Sequence, residues 1–193
     1  MFDSEKKIIL IDGYTASGKS TCLEFIQNML NDNFCYLPKY STRLPRTHEN
    51  NGNVFCESIF LPEYDFNQKN ISHVYNKAGI LYGMNLNDIN SYLSLEKNVF
   101  LIANEFFRKE VHKLYGNKNL IIEIFIQSSS EIRLNRILEA DLGIEQKEQR
   151  LKRFYSNKER EMSDFTYIIK NETSMCFFKN EISKLINNLK LKL

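Results

Sequence analysis

Short apolar runs alternating with amphipathic stretches organise this chain. Ile8-Ile9-Leu10-Ile11, bounded by Asp12-Gly13, is rich in β-branched residues and reads as a strand buried on both faces, as in a parallel sheet. Ser20 to Met29 places Cys22, Phe25, Ile26 and Met29 on one helical stripe. Phe34 to Leu37 predicts a second short strand, and Lys39 to Gly52 is polar and turn-rich. Asn53 to Phe60 and Ser72 to Tyr82 alternate weakly, as small hairpin strands do, and Asn87 to Leu95 reads as helix. Val99 to Ala103 and Leu120 to Ile126 are further buried strands. Ser130 to Leu138 predicts a helix behind a serine N-cap, with Ile132, Ile137 and Leu138 on its apolar side. Asp141 to Gln149 is polar with a glycine near its middle, and Arg150 to Glu161 predicts a charged helix. Tyr167 to Ile169 predicts a last strand and Glu181 to Leu193 a closing amphipathic helix. Buried strands alternating with helices give an α/β fold around a parallel sheet.

Composition narrows the class. At 193 residues the chain fits one ordinary domain. With 42% hydrophobic and 26% charged residues it is globular rather than disordered. The 26 Lys and Arg residues against 24 Asp and Glu leave a net charge of +2, too small for a nucleic-acid coat. No apolar run reaches the roughly 18 residues of a membrane span, and the N-terminal run is too short for a signal peptide. Cys22, Cys35, Cys56 and Cys176 form no CxxC pair and no metal-ligand spacing. The expectation is a reduced, cytoplasmic protein with neither membrane nor nucleic acid as partner. The mixed-sign run Glu145 to Glu161 reads as a solvated helix, and His48, His73 and His112 are isolated from any second metal ligand. The chain is visibly rich in Asn and Lys, which lowers the information in any single one.

The strongest chemistry is Gly13-Tyr14-Thr15-Ala16-Ser17-Gly18-Lys19-Ser20, a GxxxxGK(S/T) octad between a strand and a helix. Successive backbone N–H groups and the helix N-terminus make such a loop an anion cradle. Gly13, Ala16, Ser17, Gly18, Lys19, Ser20 and Thr21 are assigned to ATP, with Lys19 reaching the β- and γ-phosphates and the Ser20 hydroxyl on Mg²⁺. Downstream, Arg43 and Arg46 stand three apart in a turn-rich segment, able to fork onto one phosphate dianion, and the Tyr82 hydroxyl is an added neutral donor.

Ser41-Thr42-Arg43-Leu44-Pro45-Arg46-Thr47-His48-Glu49-Asn50-Asn51-Gly52-Asn53-Val54-Phe55 resembles the TRxxRxxExxGxxY stretch of guanylate kinases. Gly79-Ile80-Leu81-Tyr82-Gly83 is similar to their GxxYG element, Val99 to Asn104 to their second core strand, and Tyr167 to Asn171 to their last strand. Glu131 to Arg136 and Arg150-Leu151 resemble the helices flanking their lid. The resemblance implies a P-loop NTPase fold of three αβα layers. Its core would be 1–37, 98–136 and 150–193, with an acceptor-binding subdomain at about 38–97 and a helical lid at about 137–149.

Departures from the family cluster on the acceptor side. The guanine-contacting Ser falls at Lys39, the guanine-contacting Glu at His73, and the Ser or Thr after the YG element at Met84. The phosphate-binding Tyr falls at Phe55, and the Asp after the second core strand at Asn104, with Glu105 beside it. A carboxylate accepting two hydrogen bonds cannot become His without changing what is read. The RG pair of the family's lid is replaced by Leu138-Glu139-Ala140-Asp141-Leu142-Gly143. The resemblance implies Arg150 as the second lid arginine, with Arg153 one helical turn on and Arg133 and Arg136 as further candidates; Lys19, Arg150 and Arg136 are the expected catalytic set. Arg43, Arg46, Tyr82, Phe55, His73 and Asn104 are the acceptor-site candidates.

The resemblance implies an ATP- and Mg²⁺-dependent kinase acting on a small phosphate-bearing acceptor. GMP, dGMP, a modified nucleotide and a sugar phosphate such as ribose 1,5-bisphosphate all stay open, since ribose 1,5-bisphosphokinases also lack the guanine Glu. Two other readings compete: a guanylate-kinase-like binding module without catalysis, and an NTPase switch. The intact Lys19 argues against the first, and Ile102-Ala103-Asn104 supplies no Walker-B Asp for the second.

Overall fold

A computed structural model describes residues 6–30, 34–45, 58–77, 79–116, 120–156, 161–189 and 191. The elements run β1 (Ile8–Gly13), α1 (Lys19–Leu30), β2 (Phe34–Tyr36), β3 (Lys39–Ser41), β4 (Ser58–Phe60), α2 (Glu63–Gln68), β5 (His73–Lys77), β6 (Ile80–Met84) and α3 (Asp88–Ser94). They continue with β7 (Asn98–Ile102), α4 (Glu105–Tyr115), β8 (Ile121–Gln127), α5 (Ser130–Glu139), α6 (Ile144–Tyr155), β9 (Tyr167–Lys170) and α7 (Met175–Asn188). Strands β2-β7-β1-β8-β9 form one parallel sheet, and β4-β3-β6-β5 a second, smaller one. The expected α/β architecture is therefore present. The chain divides into two units, residues 1–10 with 32–121 and residues 11–31 with 122–193.

In the first unit, β2 pairs with β7 in register Phe34↔Asn98, and all five residues of β7 are buried. Ile8, Leu10, Leu37, Met84, Leu86, Ile89, Val99 and Leu101 pack with Phe107, Val111 and Tyr115 of α4. Those three recur at i, i+4 and i+8, one face of a helix, and burying each contributes about 1.5–3 kcal/mol. Asn104 caps α4, its side chain accepting from Phe107 N at 3.1 Å. Sequence reading did not anticipate α4, because Phe106 sits beside Phe107 and blurs the stripe, nor the short α2. Lys39 to Ser41 is a strand rather than a turn: cross-strand pairing overrides its polar composition, with β3 antiparallel to β6 and parallel to β4. Ser72 to Tyr82 does supply a hairpin, β5 with β6.

In the second unit, β8 and β9 pair in parallel from Ile124↔Tyr167 to Gln127↔Lys170. Helix α1 buries Cys22, Leu23, Ile26 and Leu30, and α7 buries Phe178, Ile182, Leu185 and Ile186. Helix α7 starts earlier than expected, behind Ser174, whose hydroxyl accepts from Phe177 N at 3.2 Å. Helix α6 likewise begins at Ile144 rather than Arg150, and no residue of it is buried. Leu138, expected on the apolar face of α5, is 50% exposed; Arg133 and Ile137 are the buried pair there. Burial pushes the Cys22 thiol up to about 12, so it stays protonated and inert at neutral pH. No helix among the described residues is long and apolar enough to cross a membrane.

Candidate functional site

The loop of residues 13–18 leaves β1 and enters α1, so it sits at the carboxyl end of a buried parallel strand, where ligand sites of α/β folds lie. Gly13 (φ 153°), Ala16 (φ 63°) and Gly18 (φ 104°) hold left-handed backbone, which turns the chain tightly enough to close the loop. Asp12, buried at the strand end, accepts from Gly13 N at 2.7 Å through Oδ1. Ser17 N donates to Tyr14 O at 3.2 Å. Lys19 Nζ reaches over the loop and donates to the carbonyls of Gly13 and Tyr14, both at 2.8 Å. Ser17 is fully buried, and its Oγ has no hydrogen-bond partner among the described residues.

Behind the loop lies a polar hub built from the ends of β8 and β9. Asn171 Nδ2 donates to Ser17 O at 2.8 Å, and Ser128 Oγ donates to Asn171 O at 2.7 Å. Arg136 on α5 donates through Nη1 to Ala16 O (3.2 Å) and Ser128 Oγ (3.2 Å). Its Nη2 donates to Asn171 O (3.0 Å) and Asn171 Oδ1 (3.1 Å). The candidate catalytic arginine Arg136 thus has its guanidinium engaged on the back of the loop. Burial lowers the Arg133 and Arg136 guanidinium pKa values from the usual arginine range, Tyr14 opposing the shift at Arg133; both side chains remain cations at neutral pH. Ser128 and Asn171 escaped the sequence reading. Their one signal is a polar residue directly after a short strand, weak in an Asn-rich chain.

Arg133 is buried and lies between two rings, its Cζ 4.7 Å from the Tyr14 centroid and 4.9 Å from that of Phe154 on α6. Nε donates to Ser128 O at 3.1 Å, while Nη1 is buried without a hydrogen-bond partner among the described residues. No residue of α6 is fully buried, and this stack ties it to the loop. Arg133→Ala is expected to lower stability by about 2 kcal/mol through lost stacking and the gap left between the rings. It should also speed proteolytic cleavage within residues 140–156. Cleavage at the parental rate would remove the stack from any role in holding α6. Arg150 and Arg153 lie on α6, with Arg153 Nε donating to Gln149 O at 3.2 Å.

Of the acceptor-site candidates in the first unit, Tyr82 and His73 lie on the small sheet and Arg43 follows β3, while Asn104 stands at the start of α4. Pairing of Ser41 with Tyr82 joins the Arg43 segment to the GxxYG element, and Thr42 reinforces it by accepting from Leu81 N at 3.0 Å. Directly opposed residues share a face, so Lys39, Ser41, Tyr82, Met84, Tyr75 and His73 stand on one side. Arg43 is buried, stacks 4.5 Å above the Phe60 ring, and donates to Leu44 O at 2.9 Å. Tyr82 stacks on Tyr75 at 5.2 Å, with Lys39 Nζ 5.8 Å from its ring. Gly83 is required by crowding: a Cβ there would lie 2.6 Å from Ile71 Cγ2. His73 Nδ1 contacts Ser72 Oγ at 2.8 Å, and Nε2 lies 3.6 Å from the Glu110 carboxylate, a partner sequence reading missed with α4. Asn104 lends its side-chain oxygen to the cap of α4. Arg46 and Phe55 lie outside the described residues.

Sheet order, loop and hub define a P-loop protein of the α/β class. A guanylate kinase of Malacoplasma penetrans (strain HF-2) is 31% identical over 140 residues, covering 67% of this chain and 57% of that protein. The chain therefore spans somewhat over half the length of that curated relative. Among solved structures, the guanylate kinase of Anaplasma phagocytophilum matches at TM-score 0.63 and 16% identity, over 98% of this chain and 87% of that one. TT1252 of Thermus thermophilus matches at TM-score 0.50 and 15% identity, over 95% and 97%. No family model matches. The chain has the P-loop fold of guanylate kinases and is similar in sequence to one of them.

Proposed function

We propose that the protein is an ATP- and Mg²⁺-dependent phosphotransferase of the nucleoside-monophosphate-kinase type. The observation that carries the reading is the loop itself. Its carbonyls are tied back by Lys19, Asn171 and Arg136, and a buried Ser17 hydroxyl has no hydrogen-bond partner among the described residues. Such a surface fits phosphate oxygens, which bring the acceptors it lacks. Gly13, Ala16, Ser17, Gly18, Lys19, Ser20 and Thr21 would hold the nucleotide. Mg²⁺ would be held chiefly by the phosphates, with the exposed Ser20 hydroxyl as protein ligand. When bound, the ion neutralises charge on the transferred group.

Arg43, Arg46 and Tyr82 are proposed to hold the acceptor phosphate, with Phe55, His73 and Asn104 around the rest of the acceptor. Arg150, on α6, is the candidate transition-state cation, with Arg136 acting through the loop. Chemistry would be in-line transfer achieved by positioning. The relative's designation as a guanylate kinase supports GMP or dGMP as acceptor. His73 paired with Glu110, where that family reads guanine with a carboxylate, supports a modified nucleotide or sugar phosphate instead. Asn104 in its capping role favours the alternative of a non-catalytic binding module.

The test is ADP release from Mg-ATP against GMP, dGMP, AMP, UMP, dTMP, IMP and ribose 1,5-bisphosphate. ADP formed with one acceptor is the expected result and names the substrate. Tight Mg-ATP binding with no turnover on any acceptor, or phosphate release without one, would sink the kinase reading.

A further inference from the structure

We propose that Asn171 is a positioning residue of the phosphate loop: its side-chain amide sets the direction of the Ser17–Gly18 peptide, and so aims the Gly18 N–H at the bound phosphates. This rests on the proposed nucleotide site. The peptide is planar and trans, so its C=O and N–H point in opposite directions. Ser17 O is held from behind by Asn171 Nδ2 at 2.8 Å; Ser128 Oγ lies 3.3 Å from the same oxygen, its one proton going to Asn171 O at 2.7 Å. The Gly18 N–H must then face the opposite side, where an anion is received.

The amide's own orientation is fixed rather than free. Arg136 Nη2 donates to Asn171 Oδ1 at 3.1 Å, which makes Oδ1 the acceptor and leaves Nδ2 to serve Ser17 O. The Asn171 backbone is anchored in turn, its N donating to Gln127 O at 2.8 Å and its O accepting from Ser128 and Arg136. Asn171 is buried, so water does not substitute for these partners. It also explains the loop glycine in a second way, because a Cβ on Gly18 would collide with Asn171 Nδ2. A residue whose only duty were to fill space would not need an amide whose two ends meet an arginine and a carbonyl in this sense.

Asn171→Asp separates the two duties, since it keeps shape and the acceptor for Arg136 but turns the donor facing Ser17 O into an acceptor. Losing that bond and opposing two oxygens is expected to weaken Mg-ATP binding, read by calorimetry on the full chain, by about ten- to a hundredfold. In turnover, the KM for ATP should rise while the KM for the acceptor stays at the parental value. Circular dichroism establishes whether the variant is folded. Should it not fold, Ser128→Ala, which removes the hydroxyl that anchors the Asn171 carbonyl, is expected to weaken Mg-ATP several-fold. Parental Mg-ATP affinity in the folded Asp variant, or in Ser128→Ala when that one carries the test, overturns the assignment. So does an equal rise of both KM values. Calorimetry needs no acceptor, so failure of the kinase reading leaves this outcome legible.

Discussion

Replacing Lys19 by Ala is expected to lower kcat by about three orders of magnitude, some 4 kcal/mol of lost transition-state stabilisation, with the fold preserved. The reason is geometric. Lys19 Nζ already bridges the carbonyls of Gly13 and Tyr14 across the mouth of the loop, both at 2.8 Å. The side chain is therefore delivered to the position where a triphosphate would offer it stronger, charged acceptors. An ammonium there neutralises charge that grows on the transferred group, whereas methyl truncation leaves the loop backbone in place. The measurement is steady-state ADP release with the best acceptor, beside a thermal melt. Turnover within threefold of the parent would remove the loop from the chemistry, and a collapsed melt would show that the lysine holds the fold instead.

The second large effect belongs to Gly13→Ala. At φ 153° an L-residue is strained before any contact is considered, and a Cβ there would lie 2.7 Å from the backbone oxygen of Ile126 and 2.6 Å from Ser17 Oγ. Ile126 is fully buried in β8, so the carbonyl has nowhere to go. The serine can rotate, but only by moving the hydroxyl that the phosphate reading uses. Strain and overlap together are expected to cost about 3 kcal/mol of stability, and Mg-ATP affinity should fall at least tenfold. Denaturant unfolding and calorimetry check both halves. A parental midpoint would mean that the loop deforms freely, contrary to the packing described.

What the sequence carried on its face were the features whose cause is local. Ile8 to Ile11, Val99 to Ala103 and Leu120 to Ile126 read as buried strands because parallel sheets bury both faces, and the glycine loop read as an anion cradle from its octad alone. What stayed hidden depends on partners far along the chain. The strand Lys39 to Ser41 has no apolar pattern and exists because β6 and β4 pair with it. Asn171 lies 154 positions from the Ser17 carbonyl it holds, and Arg136 lies 120 from Ala16. Neither spacing leaves a trace in composition or period. Arg136 was legible as a residue worth naming, yet its contacts place it behind the loop, where it braces rather than reaches. His73 was legible only through the resemblance, and its companion Glu110 needed α4 to be seen.

Helix α6 has a consequence for mutational tolerance. None of its residues is fully buried, and Ile144 is 81% exposed and Tyr155 73%. Away from Phe154, which stacks on Arg133, replacements at its exposed positions should be close to neutral for stability. An exposed position on it that refuses substitution is then marked by its chemistry, and a saturation scan of those positions would read out a ligand footprint with little background of folding defects.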